Sequence, residues 1–207
     1  MPVKESAGGS GIDTRLEPLD PTGRCDRDGL KSEATVLTTK HSFECSVLER
    51  DEMRALLTAA FGPSYDNAAW QNAQGGIHFL LRHSGVLVAH VSLIERTIEV
   101  DEQPVECFYV ESMAALPAYQ RVGFGTCVMA AASAHVRLAG RLGVLATAVP
   151  DFYRRLGWQR WRGETLALTA EGERRKEAPR GCLMLLSTEE LKGVTSLAAR
   201  ERPGDVW

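Results

Sequence analysis

From Thr35 onward most of the chain alternates apolar and polar residues with a period of two, interrupted by two stretches of helical period. TVLTTKHSF predicts a first strand. Glu49 to Phe61 (ERDEMRALLTAAF) instead puts Met53, Leu56, Leu57 and Ala60 on one stripe, with acids in the first turn, so it predicts a helix that Gly62-Pro63 ends. A polar segment with a short helix near Asp66 to Asn72 leads to Gly75-Gly76. IHFLLRH and VLVAHVSLIERTIEV then flank the Ser84-Gly85 turn as a hairpin. Asp101 to Pro104 makes a second turn into VECFYVESMAAL, a third long strand.

The second helical stretch runs from Gly123 to about Ala139, with Val128, Ala132 and Val136 at helical spacing and Gly140 as its stop. GVLATAV is a buried strand, PDFYRRLG a short helix and WQRWRG another strand. A charged loop from Glu171 to Pro179 precedes CLMLLS, read as the last strand, and the tail from Thr188 to Trp207 is expected to be partly irregular. This order predicts an α+β fold with a mixed, mostly antiparallel sheet flanked by helices. The strand–helix–strand step from Val105 to Val149 must be a parallel crossover. Residues 1–33, rich in Gly, Ser, Asp, Pro and charge, predict a flexible N-terminal arm before a single domain over 34–207.

Composition narrows the function classes. With 207 residues, 44% apolar and 25% charged, the chain has the makeup of one globular domain. A net charge of −3 gives no broad basic footprint for nucleic acid and leans toward a cationic small molecule. The RRLGWQRWRG run, where Arg and Trp alternate, reads as a solvated strand face with Trp158 and Trp161 packed inward. The five cysteines are widely spread without a CxxC pair, and the five histidines lack metal-ligand spacing, so no metal is expected. His78, His83 and His90 on apolar runs, and His135 in a helical one, read as structural histidines. The start has no apolar leader and no run approaches a membrane span, which predicts a cytoplasmic protein with no membrane partner.

The strongest local signal is Gln120-Arg121-Val122-Gly123-Phe124-Gly125, directly after a strand and opening a helix. Glycines there turn the backbone sharply and expose N–H groups where a pyrophosphate can sit. The dinucleotide fingerprint GxGxxG does not fit, because Val128 stands at the third glycine and no acid follows in Gly140 to Thr147. The spacing Q-x-x-G-x-G resembles the coenzyme A signature of the GNAT acetyltransferases, and Phe152-Tyr153-Arg154-Arg155-Leu156-Gly157-Trp158 resembles a second element of that superfamily. The resemblance covers the chain from about residue 34. It implies a sheet that splays open near Met113 and Ala114, with acetyl-CoA as co-substrate. Its pantetheine would lie along Met113, Ala114 and Ala115, and its pyrophosphate on Gln120, Arg121, Val122, Gly123, Phe124 and Gly125.

Tyr109-Val110-Glu111, Gly75-Gly76-Ile77-His78 and the terminal Gly204-Asp205-Val206-Trp207 are similar to the aminoglycoside 2'-N-acetyltransferases. Taken alone the tail reads as a solvated terminus. The resemblance implies instead that Asp205 and the carboxylate of Trp207 face a cationic antibiotic, beside Glu111 and Ser112. It also implies Glu111 as general base through a water and Tyr153 as the acid toward the leaving thiolate. Backbone N–H groups of Met113–Ala115 would serve the oxyanion. On residues alone, Glu111 reads equally as an ion-paired strand carboxylate, and Tyr153 as a core aromatic.

The substrate side departs from the broad-spectrum pattern. Ser64 and Ala69 stand where acids are expected, leaving Asp66, and Pro179-Arg180 replace acids before CLMLLS. Lost acids weaken binding of a polycation, and an added Arg suits a substrate carboxylate. That pattern fits the subgroup acting on kasugamycin, which has one amino sugar and a carboxyl-bearing imino group; relatives of this kind are often homodimers. Two other readings stay open: a GNAT enzyme for a polyamine, amino sugar or protein N-terminus, and a non-catalytic acyl-CoA or drug-binding module.

Overall fold

The computed structural model describes residues 34–187, 193–204, 206 and 207; the proposed arm over 1–33 and Asp205 lie outside the described residues. Strands β1 (Thr35–His41), β2 (Ile77–His83), β3 (Val86–Val100), β4 (Gln103–Ala115) and β5 (Leu142–Thr147) form the body of the sheet. It is completed by β6 (Gln159–Arg160), β7 (Glu164–Leu168), β8 (Arg174–Lys176), β9 (Cys182–Leu186) and β10 (Ser196–Arg200). The helices are α1 (Val47–Phe61), α2 (Asn67–Asn72), α3 (Phe124–Leu138) and α4 (Pro150–Arg154).

The strands make one sheet in the order β6-β9-β5-β4-β3-β10-β7-β8, with β2 also on β3 and β1 on β2. Strand β3 is long enough to serve two neighbours along one edge, pairing β2 up to Leu93 and β10 from Ile98 to Val100. As the crossover required, β4 and β5 are parallel. The expected strand WQRWRG shrinks to Gln159–Arg160, and β7, β8 and β10 are additional to the elements the pattern predicted. CLMLLS is therefore not the last strand: β10 follows it in the tail, parallel to β7.

Helix α1 starts on a capping box. The Ser46 hydroxyl accepts from the Glu49 N–H at 3.2 Å while the Glu49 carboxylate accepts from the Ser46 N–H at 2.9 Å. Its stripe Met53, Leu56 and Leu57 is buried against Leu80, Leu87 and Ala114 of the sheet. Each such side chain contributes roughly 1.5–3 kcal/mol of burial. Alternation along β4 then divides the core, with Phe108 and Val110 facing α3, and Cys107 and Tyr109 facing the opposite layer. That opposite layer contains Val206 and Trp207, so the chain terminus is core. Helix α3 buries Val128, Met129, Ala132 and Val136, and its Ser133 hydroxyl accepts from the Trp158 indole N–H at 2.9 Å. This bond ties the segment after α4 to the helix that leads out of the candidate phosphate loop.

Candidate active site

Strands β4 and β5 pair only from Cys107↔Leu142 to Tyr109↔Val144. Beyond that point they part, and β4 from Val110 to Ala115 keeps one edge for β3 and, among the described residues, leaves the other without a strand. The divergence has a local cause. Against β3, Ala114 pairs with His90 but Glu111 pairs with Ser92, so Ser112 and Met113 stand opposite Val91 as a bulge. Ser112 adopts φ +51°, a left-handed conformation uncommon for residues other than glycine. Several groups hold it. The Ser92 hydroxyl donates to the Glu111 carbonyl at 3.2 Å, His90 Nδ1 lies 3.1 Å from the Ser112 carbonyl, and the Tyr65 and Ser112 hydroxyls are 2.9 Å apart.

The free edge leads into the predicted phosphate loop. Gln120 Nε2 donates to the Ala115 carbonyl at 3.2 Å, which folds the loop back on the strand end. Arg121 (φ +66°) and Gly123 (φ +98°) are both left-handed, and this turn delivers the chain to the head of α3. No side chain caps that head, and a Cβ on Gly123 would meet nothing within 4 Å. The space beside Gly123 is thus open, and an uncapped helix head of this kind leaves backbone amides available to an anion. Gly125 faces the bulged strand: a Cβ there would sit 3.0 Å from Met113 Cε, a contact the flexible Met113 side chain can relieve by a small shift. Arg121, Val122 and Gly123 are exposed, whereas Phe124 packs at the core's edge against Tyr119 and His83.

Tyr153 sits in α4 just past the end of β5, buried among Phe152 and Trp158. Burial pushes its phenol up to about 12, partly offset by a hydrogen bond with Thr147. Such a phenol keeps its proton at neutral pH and suits hydrogen-bond donation to a sulfur. Complete transfer to a thiolate of ordinary pKa runs uphill by about 3–4 units, roughly 5 kcal/mol.

Glu111 is the ion-paired carboxylate that one reading of the residues anticipated. Its Oε1 accepts from Arg202 Nη2 at 2.6 Å, with the two side chains only 15% and 16% exposed. Arg202 belongs to the segment after β10 that brings the terminus under the sheet. Its guanidinium lies 5.3 Å from the Tyr109 ring, and Arg96 lies 4.7 Å from the same ring. Both terminal nitrogens of Arg96 donate to the Val206 carbonyl at 3.1 Å. Trp207, 4% exposed, packs in the same layer, so the tail is anchored core and not a solvated end. The hydroxyl of Tyr109 and the indole N–H of Trp207 are buried without a hydrogen-bond partner among the described residues.

The remaining substrate-side residues lie on separate elements. Asp66 is exposed and caps α2, accepting from the Ala69 N–H at 2.9 Å. Arg180 precedes Gly181, which packs so closely on β5 that a Cβ would stand 2.2 Å from the Thr147 carbonyl. Arg180 thus sits at the same strand end as Tyr153. Among the described residues, no group of three or more His, Cys, Asp or Glu could hold a metal ion.

The acetyltransferase (GNAT) domain family matches residues 47–161, more than half of the chain. This protein belongs to the GNAT acetyltransferase family. An aminoglycoside 2'-N-acetyltransferase from Mycolicibacterium fortuitum is 29% identical over 174 residues, which cover 81% of this chain and 89% of that relative. Among solved structures, the GNAT N-acetyltransferase YhbS from Escherichia coli, in complex with CoA, matches with a TM-score of 0.59 at 12% identity, over 79% of this chain and 88% of that one. A probable N-acyltransferase from Enterococcus faecalis matches with a TM-score of 0.53 at 16% identity, over 62% of this chain. There the chain spans only 33% of the other's length.

Within this GNAT site, sequence reasoning missed Arg202, Arg96, Tyr65 and the pair His78–His90. Arg202 and Arg96 could not be found from spacing, because their partners stand on strand β4 and at the far terminus. The histidines carry a signal, two imidazoles on one hairpin, but their apolar surroundings alone read them as structural.

Proposed function

We propose that this GNAT enzyme transfers the acetyl group of acetyl-CoA to the 2'-amino group of an aminoglycoside, with kasugamycin the favoured drug and resistance the consequence. The observation that carries the reading is the free edge of β4 from Val110 to Ala115, which runs into an uncapped helix head. An extended pantetheine can hydrogen-bond along that edge, while Gln120–Gly125 present amides to the diphosphate. The relative from M. fortuitum supports the aminoglycoside class.

Acetyl-CoA supplies the activated acyl group when bound. Glu111 takes the proton of the substrate ammonium through a water, and Arg202 holds the carboxylate in place while it does so. Backbone N–H groups of Met113–Ala115 donate to the carbonyl oxygen as negative charge builds there. Tyr153 donates a hydrogen bond to the departing sulfur. The reading assigns Ser112 and the carboxylate of Trp207 to the amino sugar, together with Asp205, which lies outside the described residues. Arg180, at the strand end beside Tyr153, favours a substrate that carries its own carboxylate. Ser64 and Ala69, which leave Asp66 as the nearby acid, weaken binding of a polycationic drug and so disfavour the multi-amine antibiotics.

Thiol release and drug mass, measured over kasugamycin, gentamicin, tobramycin, a polyamine and a peptide N-terminus, test this. One added acetyl group on kasugamycin, faster than on the multi-amine drugs, is expected. Preference for gentamicin or tobramycin overturns the kasugamycin assignment, and turnover only of a polyamine or peptide overturns the aminoglycoside class. Glu111→Gln and Tyr153→Phe should each lower kcat by about 100-fold or more; near wild-type turnover in both removes their roles.

A further inference from the structure

Beneath the bulge lies a row of buried polar groups that the chemistry above does not use. Gly75 N–H donates to the Ser42 hydroxyl at 2.8 Å, and that hydroxyl is 2.7 Å from His78 Nε2. His78 Nδ1 is 3.0 Å from His90 Nε2, and His90 Nδ1 is 3.1 Å from the Ser112 carbonyl. Both imidazoles are fully buried.

The protons can be assigned by working back from the end. A carbonyl only accepts, so His90 must carry its hydrogen on Nδ1, which leaves its Nε2 as an acceptor. His78 must then donate from Nδ1, and its own Nε2 accepts. The single hydroxyl proton of Ser42 therefore points at His78. Its other neighbour, the Gly76 carbonyl, is farther at 3.2 Å and already accepts from the Ser42 N–H. Every donor then points the same way, from Gly75 toward Ser112, and bonds aligned in this manner polarise one another. Adding a proton to His90 would set its Nε2–H against the Nδ1–H of His78. Adding one to His78 would set its Nε2–H against the Ser42 hydroxyl proton, which would have to turn to the farther Gly76 carbonyl. Burial agrees, lowering His78 to about 4 and His90 to about 3.

We propose that Ser42, His78 and His90 form a one-way hydrogen-bond chain that fixes the left-handed Ser112 bulge, making both histidines positioning residues for acetyl transfer. The bulge sets where Glu111 stands and where β4 frees its edge, so a loosened Ser112 misplaces both the base and the oxyanion donors. The kinetic part of this inference rests on the acetyl-transfer reading above; the tautomer part does not.

Two measurements decide it. Nitrogen-15 NMR of the imidazoles in the full-length protein should show both rings neutral and protonated at Nδ1 from pH 7 to pH 5.5. An Nε2–H tautomer or an imidazolium at either position overturns the chain, whether or not the protein is active. In kinetics, His90→Phe keeps the ring volume and removes both hydrogen bonds. It should lower kcat at least about tenfold, as small misplacements of reacting groups do, while calorimetric affinity for CoA stays within about threefold. His90→Asn, whose amide nitrogen can still donate to the Ser112 carbonyl, should recover most of kcat. Unchanged kcat in His90→Phe, equal losses in kcat and CoA affinity, or no recovery in His90→Asn overturns the positioning role. If the wild type acetylates no amine, the acetyl-transfer reading falls and the tautomers alone judge the chain.

Discussion

Mild acid should destabilise this protein through His78 and His90 before its carboxylates matter. Four groups face this pair: His41 and Arg50, whose electrostatic influence opposes protonation of His78, the Ser42 hydroxyl, and the Ser112 carbonyl, which opposes the fall at His90. Burial is the largest cause for both rings; His41 and Arg50 add to it at His78, and at His90 the cost of a second charge beside His78 adds to it. Folding therefore depresses both values below the ordinary 6.5. The neutral rings contribute stability that is complete above 6.5 and is lost as pH falls toward about 4 for His78 and about 3 for His90.

The magnitude follows from the unfolded chain. Between pH 7 and pH 5 the folded rings stay neutral while the unfolded ones take up protons, which costs about 1.8 kcal/mol per ring and about twice that for the pair. This figure does not depend on how the folded pair shares its first proton, since that event lies below pH 5. His135, lowered by burial, adds a smaller loss of the same sign. Glu49, also lowered, acts only below its ordinary 4.5. Urea unfolding followed by tryptophan fluorescence at pH 7, 6 and 5 measures the slope. The wild type should lose about 4 kcal/mol across this range, and the His78→Gln/His90→Asn double variant only about 1 kcal/mol or less. Equal slopes in the two proteins would refute the reasoning, because slope counts protons whatever the variants do to absolute stability.

Three further outcomes are expected. Tyr109→Phe deletes a buried hydroxyl without a partner among the described residues, so urea unfolding should show no loss and a gain of up to about 1 kcal/mol. Arg202→Leu removes the ion pair that holds the half-buried Glu111 carboxylate; after discounting for partial exposure the cost is about 1–2 kcal/mol by the same assay, with kcat falling alongside. Gly181→Ala meets both a φ of +88° and the Thr147 carbonyl at 2.2 Å, so thermal unfolding should register a loss of about 3 kcal/mol and turnover should drop as the β5 end moves.

What the sequence makes legible is what short-range pattern decides. Helix α1 was visible because Met53, Leu56 and Leu57 repeat at helical spacing, and the phosphate loop because Gly123 and Gly125 sit between a strand and a helix. Strand β10 was not, because SLAAR has no alternation and exists by pairing with β3 and β7, both distant in the chain. The candidate base was named from its motif, but its partner Arg202 lies 91 positions away and reaches it through the buried terminus.

The histidine pair shows how a single residue can hide a site. A plain hairpin on Ser84-Gly85 continues the pairing His83↔Val86 and Arg82↔Leu87, and it would set Phe79 opposite His90, leaving His78 on the other face. The register instead shifts between Leu81 and Arg82, so that Leu81 pairs with Ala89 and Leu80 with His90. One extra residue reverses the face of everything after it on β3, because side chains alternate with a period of two. Only then do His78 and His90 share a face, stacked with ring centroids 5.3 Å apart. A second offset, at Ser112 on β4, receives the last bond of the chain they form. Neither bulge has a signature in composition or period, and the arrangement at the free edge depends on both.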